Sequence, residues 1–298
     1  MSCYAAYGLT IESEIGLPEL PSADTESPDV VFRHGKVDPI PKSDEHNDRR
    51  RIRATPDRTR LTYDSIGSFL VEAGERVTID LVTPKIEGNI AVRRLLENDM
   101  IALILHQRGQ LVLHASAVGI DEKAVVFLGQ RGAGKSTMAT VFHQEGYDVF
   151  EDDTVCIRDE SGVPTVLPGV PQLRLRPHTA ETLKLDPTAQ PTFTTKPEKV
   201  HIRLDTVPDP APLARCYLLR RGGRAEFKEL SLKDKFFNLR SQTFVRGLLA
   251  DTGAAETHFE QCSKIIESVP FRELHYPEDL EELPSVIEMI TDDLRASE

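Results

Sequence analysis

The stretch AVVFLGQRGAGKST at residues 124–137 is the most informative part of the sequence. An apolar run over 124–128 is followed by the glycine-rich segment GQRGAGKS at 129–136, which fits the pattern GxxxxGK[ST]. The residues from Lys135 to about Glu145 have helical character and are followed by Gly146. A strand, a glycine-rich loop and a helix in this order are typical of a phosphate-binding loop, although such a pattern also occurs by chance in structural loops.

The residue types in this loop match the chemistry of a bound phosphate. Glycines allow successive backbone N–H groups to turn inward around the anion, and the positive end of the helix dipole faces the same point. Lys135 can reach the β and γ oxygens, and the Ser136 hydroxyl can ligate Mg²⁺. The predicted nucleotide-binding residues are Gly129, Gln130, Arg131, Gly132, Ala133, Gly134, Lys135, Ser136 and Thr137.

Three acids, Glu151, Asp152 and Asp153, end a short apolar strand predicted over 147–150. A helix of about 11 residues runs about 16 Å away from the phosphates. The next strand then returns parallel to 124–128 through a right-handed crossover. Its carboxyl end lies beside the loop, where open α/β sheets bind ligands. One acid could hold Mg²⁺ directly or through water, and the other could accept the proton of an attacking hydroxyl; the alternative is a solvated acidic turn.

His114 is placed by a β-hairpin predicted from strands 111–118 and 124–128, joined by a five-residue loop at 119–123. If the turn centres on Asp121, His114 faces approximately Leu128, one step from the phosphate-binding loop. A histidine there could hydrogen-bond an aspartate or the phosphate and tune proton transfer. A structural histidine explains this pattern equally well.

The flanking segments predict an α/β fold. Short β-type runs fill the first ninety residues, helical spacing follows over 90–106, and helices are predicted over 233–250, 255–269 and 284–296. The proline-rich segment 168–177 is expected to be loop or edge strand. We therefore expect a smaller β-rich domain at 1–89, and a domain at 90–298 in which a mixed sheet carries the loop and helices follow.

Composition excludes some partner classes. The 298 residues include 36 Lys and Arg against 48 Asp and Glu, a net charge of −12, which argues against general nucleic-acid binding and weakly against an anionic membrane surface. The four cysteines lie far apart, so neither a zinc site nor a disulfide framework is indicated. Neither a signal-peptide pattern nor an apolar stretch of membrane-spanning length is present, so a cytoplasmic protein is predicted.

Three segments together resemble the HPr kinase/phosphorylase family, whose P-loop fold is shared with the phosphoenolpyruvate carboxykinases. They are LHASAV at 113–118, GQRGAGKST at 129–137 and EDDTV at 151–155, and the resemblance is clear over 100–157. Four further segments are similar to HPr-kinase-related proteins, some of which phosphorylate a serine of a ribosomally made peptide, such as a lasso peptide. These segments are YGL at 7–9, LPEL at 17–20, LPGVPQLRLRP at 167–177 and EKVH at 198–201.

The resemblance implies roles for individual residues. His114 matches the active-site histidine of the family, Lys135 and Ser136 match its phosphate lysine and magnesium hydroxyl, and Asp153 matches its proton acceptor. Asp152 would share the metal. The chain departs from the family where PGVPQLRLRP replaces a glycine-rich signature loop with a metal-binding glutamate, which argues against HPr as substrate and against the phosphorylase reaction. Further candidates for phosphate or substrate contacts are Arg174, Arg176, Lys199 and His201.

The sequence thus predicts a kinase that uses ATP and Mg²⁺ to phosphorylate a hydroxyl, most simply a serine of a protein or peptide. The predicted catalytic residues are His114, Lys135, Asp152 and Asp153, and the predicted metal ligands are Ser136 and Asp152. A small hydroxylated metabolite as acceptor, a nucleotide-dependent switch or scaffold without phosphoryl transfer, and a carboxykinase-like reaction are the alternatives. Whether the phosphoryl donor is ATP or GTP stays open, because the contacts to the base lie outside the loop. Apolar positions on the later helices leave a homo-oligomer open.

Overall fold

The computed structural model describes residues 1–42, 50–185 and 199–296. The chain divides into two compact units, unit 1 with Met1–Gln110 and Gly247–His258, and unit 2 with Leu111–Arg246 and Phe259–Glu298. The mixed α/β class is confirmed, with several sheets and a few helices. Residues 90–110 group with unit 1, whereas the expected boundary lay at 89/90; the division into domains 1–89 and 90–298 remains a prediction.

Within the described residues, unit 1 builds a seven-stranded sheet with the order β1-β2-β3-β7-β6-β5-β4. Alternating apolar residues fill one face of this sheet, for example Leu61, Phe69 and Val77, which are completely buried. The strands are β1 Ser2–Ala6, β2 Leu9–Ser13, β3 Val30–His34, β4 Arg50–Ala54, β5 Arg58–Tyr63, β6 Gly67–Glu72 and β7 Arg76–Leu81.

A short 3₁₀ turn at Pro84–Ile86 leads into a continuous helical segment in unit 1. The segment comprises α1 (Ile90–Arg94), a wider π-helical part (Leu95–Met100) and α2 (Ile101–Gln107), as the helical spacing predicted. The side chain of Asn89 caps its start by accepting from the Ala91 N–H at 2.8 Å.

Unit 2 contains the glycine-rich loop. The strands described in it are β8 Leu111–Leu113, β9 Ser116–Ile120, β10 Lys123–Leu128, β11 Val149–Asp152, β12 Val155–Glu160, β13 Val163–Leu167, β14 Gln172–Leu175, β15 Val200–Arg203, β16 Ala211–Arg221, β17 Glu226–Glu229 and β18 Phe271–Tyr276. Its helices are α3 Lys135–Gln144, α4 Pro177–Thr182, α5 Leu232–Gln242, α6 Ala255–Ser268, which begins among the residues of unit 1, and α7 Leu283–Arg295, preceded by a 3₁₀ turn at Leu280–Glu282.

The central strands of unit 2 run in the order β11-β9-β10-β16, and β18 pairs with β16. β10, β16 and β18 are mutually parallel, and β9 is antiparallel to both β10 and β11. β11 therefore points in the same direction as β10, as expected, but β9 lies between them. The carboxyl ends of all four like-directed strands consequently meet at one edge of the sheet, where the loop lies.

Two cores cover the two faces of this sheet. Val125 and Phe127 of β10 pack with residues of α3 and α7, whereas Val126 and Leu128 pack with residues of α5 and α6. This alternation explains why β10 is apolar from Ala124 to Leu128, because a strand that is covered on both faces has no solvent side. The glycine-rich loop therefore follows directly after the buried end of this strand.

Three local expectations were wrong. The hairpin loop is shorter than predicted, because β9 extends to Ile120 and β10 begins at Lys123. Only Asp121 and Glu122 remain in the turn, and both have positive φ (49° and 58°). The strand predicted over 111–118 breaks at His114, which lies between β8 and β9 and does not pair opposite Leu128. The helix predicted over 233–250 ends at Gln242.

The segment 168–177 contains β14, which pairs only with β15 in a two-stranded sheet among the described residues, in keeping with the expected edge character. None of the helices described has the length and apolar character that crossing a membrane requires.

Candidate functional site

The glycine-rich loop joins the end of β10 to the start of α3, as the motif predicts. Gly129, Gly132 and Gly134 all have positive φ (152°, 89° and 94°). Glycine is required at position 134 for two reasons. Its positive φ disfavours a side chain, and a Cβ there would overlap the Tyr276 hydroxyl, which donates to the Ala133 carbonyl. The Met138 N–H makes the first bond into the helix, to the Gly134 carbonyl at 2.8 Å. The N–H groups of the three preceding residues therefore have no acceptor within the helix.

Lys135 begins α3, and its ammonium Nζ donates to the Gly129 carbonyl at 2.7 Å, across the mouth of the loop. Burial lowers the pKa of Lys135, and the nearby charge of Lys199 adds to this effect, whereas the carboxylates of Asp153 and Asp152 act to raise it. The lysine of the loop, Asp152 at the end of β11 and Asp153 just after it therefore share one electrostatic environment.

Glu151 and Asp152 lie inside β11 and are almost completely buried. The carboxylate of Glu151 accepts from the N–H groups of Asp152 (3.0 Å) and Val170 (2.6 Å). The Oδ1 of Asp152 accepts from the Ser116 hydroxyl at 2.7 Å, and its Oδ2 accepts from the Arg174 N–H at 2.8 Å. These bonds fix the end of the strand and direct the next residue toward the loop.

Asp153 has the more accessible carboxylate of the pair, with 27% of its side chain exposed. Its φ of 130° is unusual for a residue with a side chain, and its N–H donates to the Ala115 carbonyl at 3.0 Å. Oδ2 accepts from Arg174 Nη1 at 3.1 Å, and Oδ1 lies 3.5 Å from His114 Nε2. Burial alone would raise its pKa, but the charges of Arg174, His114 and Lys199 outweigh it and hold the pKa below its usual value.

His114 is presented by the break between β8 and β9. Its N–H donates to the Gln242 carbonyl at 2.6 Å, and its ring packs edge-on against Phe244 at 5.5 Å between centroids. With the Gln242 amide assigned to satisfy its neighbours, its nitrogen donates to the carbonyls of His114 (3.2 Å) and Gly129 (2.9 Å) and its oxygen accepts from the Ser241 hydroxyl. Half of the imidazole is exposed (52%), so the ring is oriented by the protein and remains open to a ligand.

The other cationic candidates are distributed around this centre. Arg174 is buried and holds Asp153, while Arg176 lies beside the loop, its Nη2 3.8 Å from where a Cβ at Gly132 would be. Lys199 contributes its charge to both Asp153 and Lys135. His201 is buried, and its Nδ1 lies 2.8 Å from the Gln172 Oε1 in the β14–β15 pair, which makes it a structural residue.

The sequence did not single out Gln242, Phe244 or Tyr276. All three come from elements that are distant in the chain and meet the loop or His114 through tertiary contacts. A polar residue at the end of an amphipathic helix and a tyrosine at the end of an apolar strand were the available signals, and neither is specific.

The donor set suits a magnesium ion that arrives with a nucleotide. Among the described residues there is no group of three or more His, Cys, Asp or Glu side chains that could hold a metal alone. Mg²⁺ is usually held by one or two carboxylates together with substrate phosphates and water, rather than by an all-protein cage. The Ser136 hydroxyl group and the carboxylates of Asp152 and Asp153 match that chemistry. Because both Asp152 oxygens already accept hydrogen bonds, contact through water suits Asp152.

No protein-family model matches the chain, and no curated protein matches it either. Among solved structures, the chain is similar to the HPr(Ser) kinase/phosphatase from Coxiella burnetii. The alignment covers 62% of this chain and 91% of that one, at 13% sequence identity and a TM-score of 0.35. A likeness at this level defines neither the activity nor the substrate of this chain.

Proposed function

We propose that this chain is a phosphotransferase that moves the γ-phosphoryl group of ATP to a hydroxyl group, with a serine of a protein or peptide as the expected acceptor. The observation that carries the proposal is that Lys135 and Asp153 follow like-directed strands at the same edge of the sheet, where the Asp153 carboxylate acts on the charge of Lys135. A nucleotide-binding loop alone would serve many functions. A partly exposed, ionised carboxylate beside it is what transfer to an acceptor requires.

In this proposal, the loop and the start of α3 bind the phosphates through backbone N–H groups, and Lys135 leaves the Gly129 carbonyl to reach the β and γ oxygens. This exchange replaces one acceptor by a stronger, charged one. Positioning and charge stabilisation supply most of the catalysis in phosphoryl transfer, so a rigid loop at the end of a buried strand is an appropriate support.

Asp153 would orient the acceptor hydroxyl and receive its proton. Its lowered pKa keeps it ionised at neutral pH, so that it is always ready to accept a hydrogen bond. Such a carboxylate is a weak base, which fits a reaction in which the hydroxyl loses its proton late. His114 would support Asp153 from the open side, and its exposed face leaves room for an acceptor.

Mg²⁺, when bound, neutralises charge on the β and γ phosphates. Ser136 and Asp152 would hold it together with the nucleotide. The acid pair would repel a bare triphosphate, so nucleotide binding should depend on the metal.

The test is a transfer assay with the full-length protein. Purified protein is incubated with Mg²⁺ and γ-labelled ATP, together with proteins and small metabolites extracted from the native cell, and products are identified by mass spectrometry. We expect label on one class of hydroxyl acceptor. Asp153→Asn should abolish transfer while leaving nucleotide binding intact. Asp159→Asn is the matched control, because Asp159 is an exposed acid that pairs with Lys264 at the surface.

The outcomes separate the alternatives. Label on a serine of a protein or peptide supports the proposal in full, and label on a small molecule identifies a metabolite kinase. Tight nucleotide binding without transfer to any acceptor would indicate the switch or scaffold. Full transfer by Asp153→Asn would remove Asp153 from the chemistry.

A further inference from the structure

The edge of the sheet that carries the loop has two chemically different sides. On one side of β10, beyond β9, lies β11, which ends at Asp152 and is followed by Asp153; on the other side lies β16, which ends at Arg221. β16 is parallel to β10 with Leu128 opposite Leu218, so both chains leave the sheet in the same direction at nearly the same level. The loop is therefore flanked by acids on one side and by an arginine on the other.

Arg221 is held close to the loop. A Cβ at Gly134 would lie 3.9 Å from the Arg221 Nε, so this guanidinium borders the loop where it enters α3. Arg221 pairs directly with Tyr276 across β16 and β18, and the Gly222 N–H donates to the Tyr276 carbonyl at 2.9 Å. The Tyr276 hydroxyl, in turn, donates to the Ala133 carbonyl of the loop.

The guanidinium of Arg221 also differs from that of its neighbour. Arg220 pairs with Glu273 at 2.9 Å, which satisfies its charge within the sheet. Over the described ranges no carboxylate lies within salt-bridge distance of Arg221, and the side chain is exposed. Exposed arginines are common, but one that borders a phosphate-binding loop has the geometry and the donors for an anion.

We propose that Arg221 binds the inner phosphates of the nucleotide, the α- and β-phosphates, from the side of the loop opposite to the acids, and that Tyr276 positions it. The proposal rests on the proposed function: if the γ-phosphate faces Asp153, the chain of phosphates runs from β11 across the loop toward β16. The nucleoside then lies beyond the carboxyl ends of β16 and β18, over the turn that starts with Gly222 and Gly223.

The position of Arg221 predicts a specific pattern of nucleotide affinities. A residue that contacts only the γ-phosphate changes the affinity for ATP and leaves the affinity for ADP unchanged. A residue that contacts the α- and β-phosphates changes both affinities to the same degree. Binding of Mg²⁺·ADP and of a Mg²⁺-bound, non-hydrolysable ATP analogue is measured by calorimetry on the full-length protein and on Arg221→Gln. We expect both affinities to fall by about tenfold or more, with their ratio unchanged, since charged hydrogen bonds to the phosphates are lost.

Matched variants define what supports the proposal. Arg295→Gln removes the same charge from an exposed arginine that pairs with Asp121 in the hairpin turn, at the opposite end of β10 from the loop, and should leave both affinities unchanged. Arg221→Lys should recover part of the loss. Tyr276→Phe should weaken ADP binding in the parent protein and have a smaller effect in the Arg221→Gln background, because the Tyr276 hydroxyl contacts the Arg221 side chain as well as the loop. A purely structural role of Tyr276 would give equal effects in both backgrounds.

Failure of the two proposals can be told apart. If the unmodified protein binds neither nucleotide, the proposed function and this inference both fail. If it binds both and Arg221→Gln binds them equally well, only the assignment of Arg221 is overturned. A loss confined to the ATP analogue, or an equal loss in Arg295→Gln, would also overturn it.

Discussion

The Nη1 of Arg174 lies 3.1 Å from the Oδ2 of Asp153, and the N–H of Arg174 donates to the Oδ2 of Asp152 at 2.8 Å. One residue thus binds both acids of the pair, one through its side chain and one through its backbone. Arg174 is buried, so its charge acts on Asp153 with little screening by solvent. It explains why a largely desolvated carboxylate keeps a pKa below the usual value.

Arg174→Gln should therefore shift the acid limb of the pH–rate profile to higher pH, by about one unit. Without the guanidinium, burial dominates and raises the pKa of Asp153, so that the active, ionised form is lost at a higher pH as acid is added. The profile of kcat/KM is measured between about pH 4 and 8. Arg176→Gln, an exposed neighbour, is the control; a lower rate with an unshifted acid limb would make Arg174 merely structural.

Gly134→Ala should abolish nucleotide binding, because the new Cβ would meet the Tyr276 hydroxyl and the residue would have to keep a φ of 94°. Gly146→Ala is a matched control, since Gly146 has a φ of 88° but open space around its Cβ position. Both variants should lose about 1–2 kcal/mol of stability through the strained backbone. Only Gly134→Ala should lose affinity in calorimetry, and equal affinity in the two would contradict the close contact with Tyr276.

The loop and the acid pair could be predicted because their signals are local. A strand, a glycine pattern and a helix are adjacent in the chain, and strand direction then determines where Asp152 and Asp153 lie. The place of His114 in the sheet and the end of α5 could not be predicted, and one tertiary contact explains both errors. The Phe244 N–H donates to the Val112 carbonyl and the His114 N–H to the Gln242 carbonyl. These bonds break the strand at His114 and stop the helix at Gln242. The two segments are far apart in the chain, so the local sequence of neither one indicates the contact.

The predicted length of the hairpin loop was wrong for a different reason. Tight two-residue turns with two positive φ values favour Asn-Gly or Asp-Gly, and here the second residue is Glu122. The usual signal is absent, so a longer loop was the natural expectation. The pairing of Lys123 with Ile120 shows that strand pairing outweighs the unfavourable turn residue.

Asp293 should be the most costly acid in unit 2 to remove. Its Oδ2 accepts from Tyr217 (2.6 Å) and pairs with the buried Arg215 (3.0 Å), while Oδ1 pairs with Arg272 (3.1 Å), so α7 is tied to β16 and β18. Asp293→Ala removes the counter-charge of the buried Arg215 and of the partly buried Arg272, and should lower the free energy of unfolding by about 3–5 kcal/mol in urea denaturation. Asp292→Ala, its exposed neighbour, should cost less than about 0.5 kcal/mol. Similar losses in the two variants would show that the network contributes little.

His114→Asn should reduce kcat by about 10²-fold and leave nucleotide affinity unchanged. The Nε2 of His114 lies 3.5 Å from Asp153, and no contact links its ring to the loop among the described residues, so its side chain acts on the acceptor side of the site. Transfer kinetics and calorimetry on the same preparation separate the two effects, with the exposed His178→Asn as control. Phe244→Leu, which removes the ring that packs edge-on against the imidazole, should give a smaller loss in kcat of the same kind. A His114 variant that lost nucleotide affinity as much as kcat would instead place the histidine at the phosphates, and the division of the site into an acceptor side and a phosphate side would have to be redrawn.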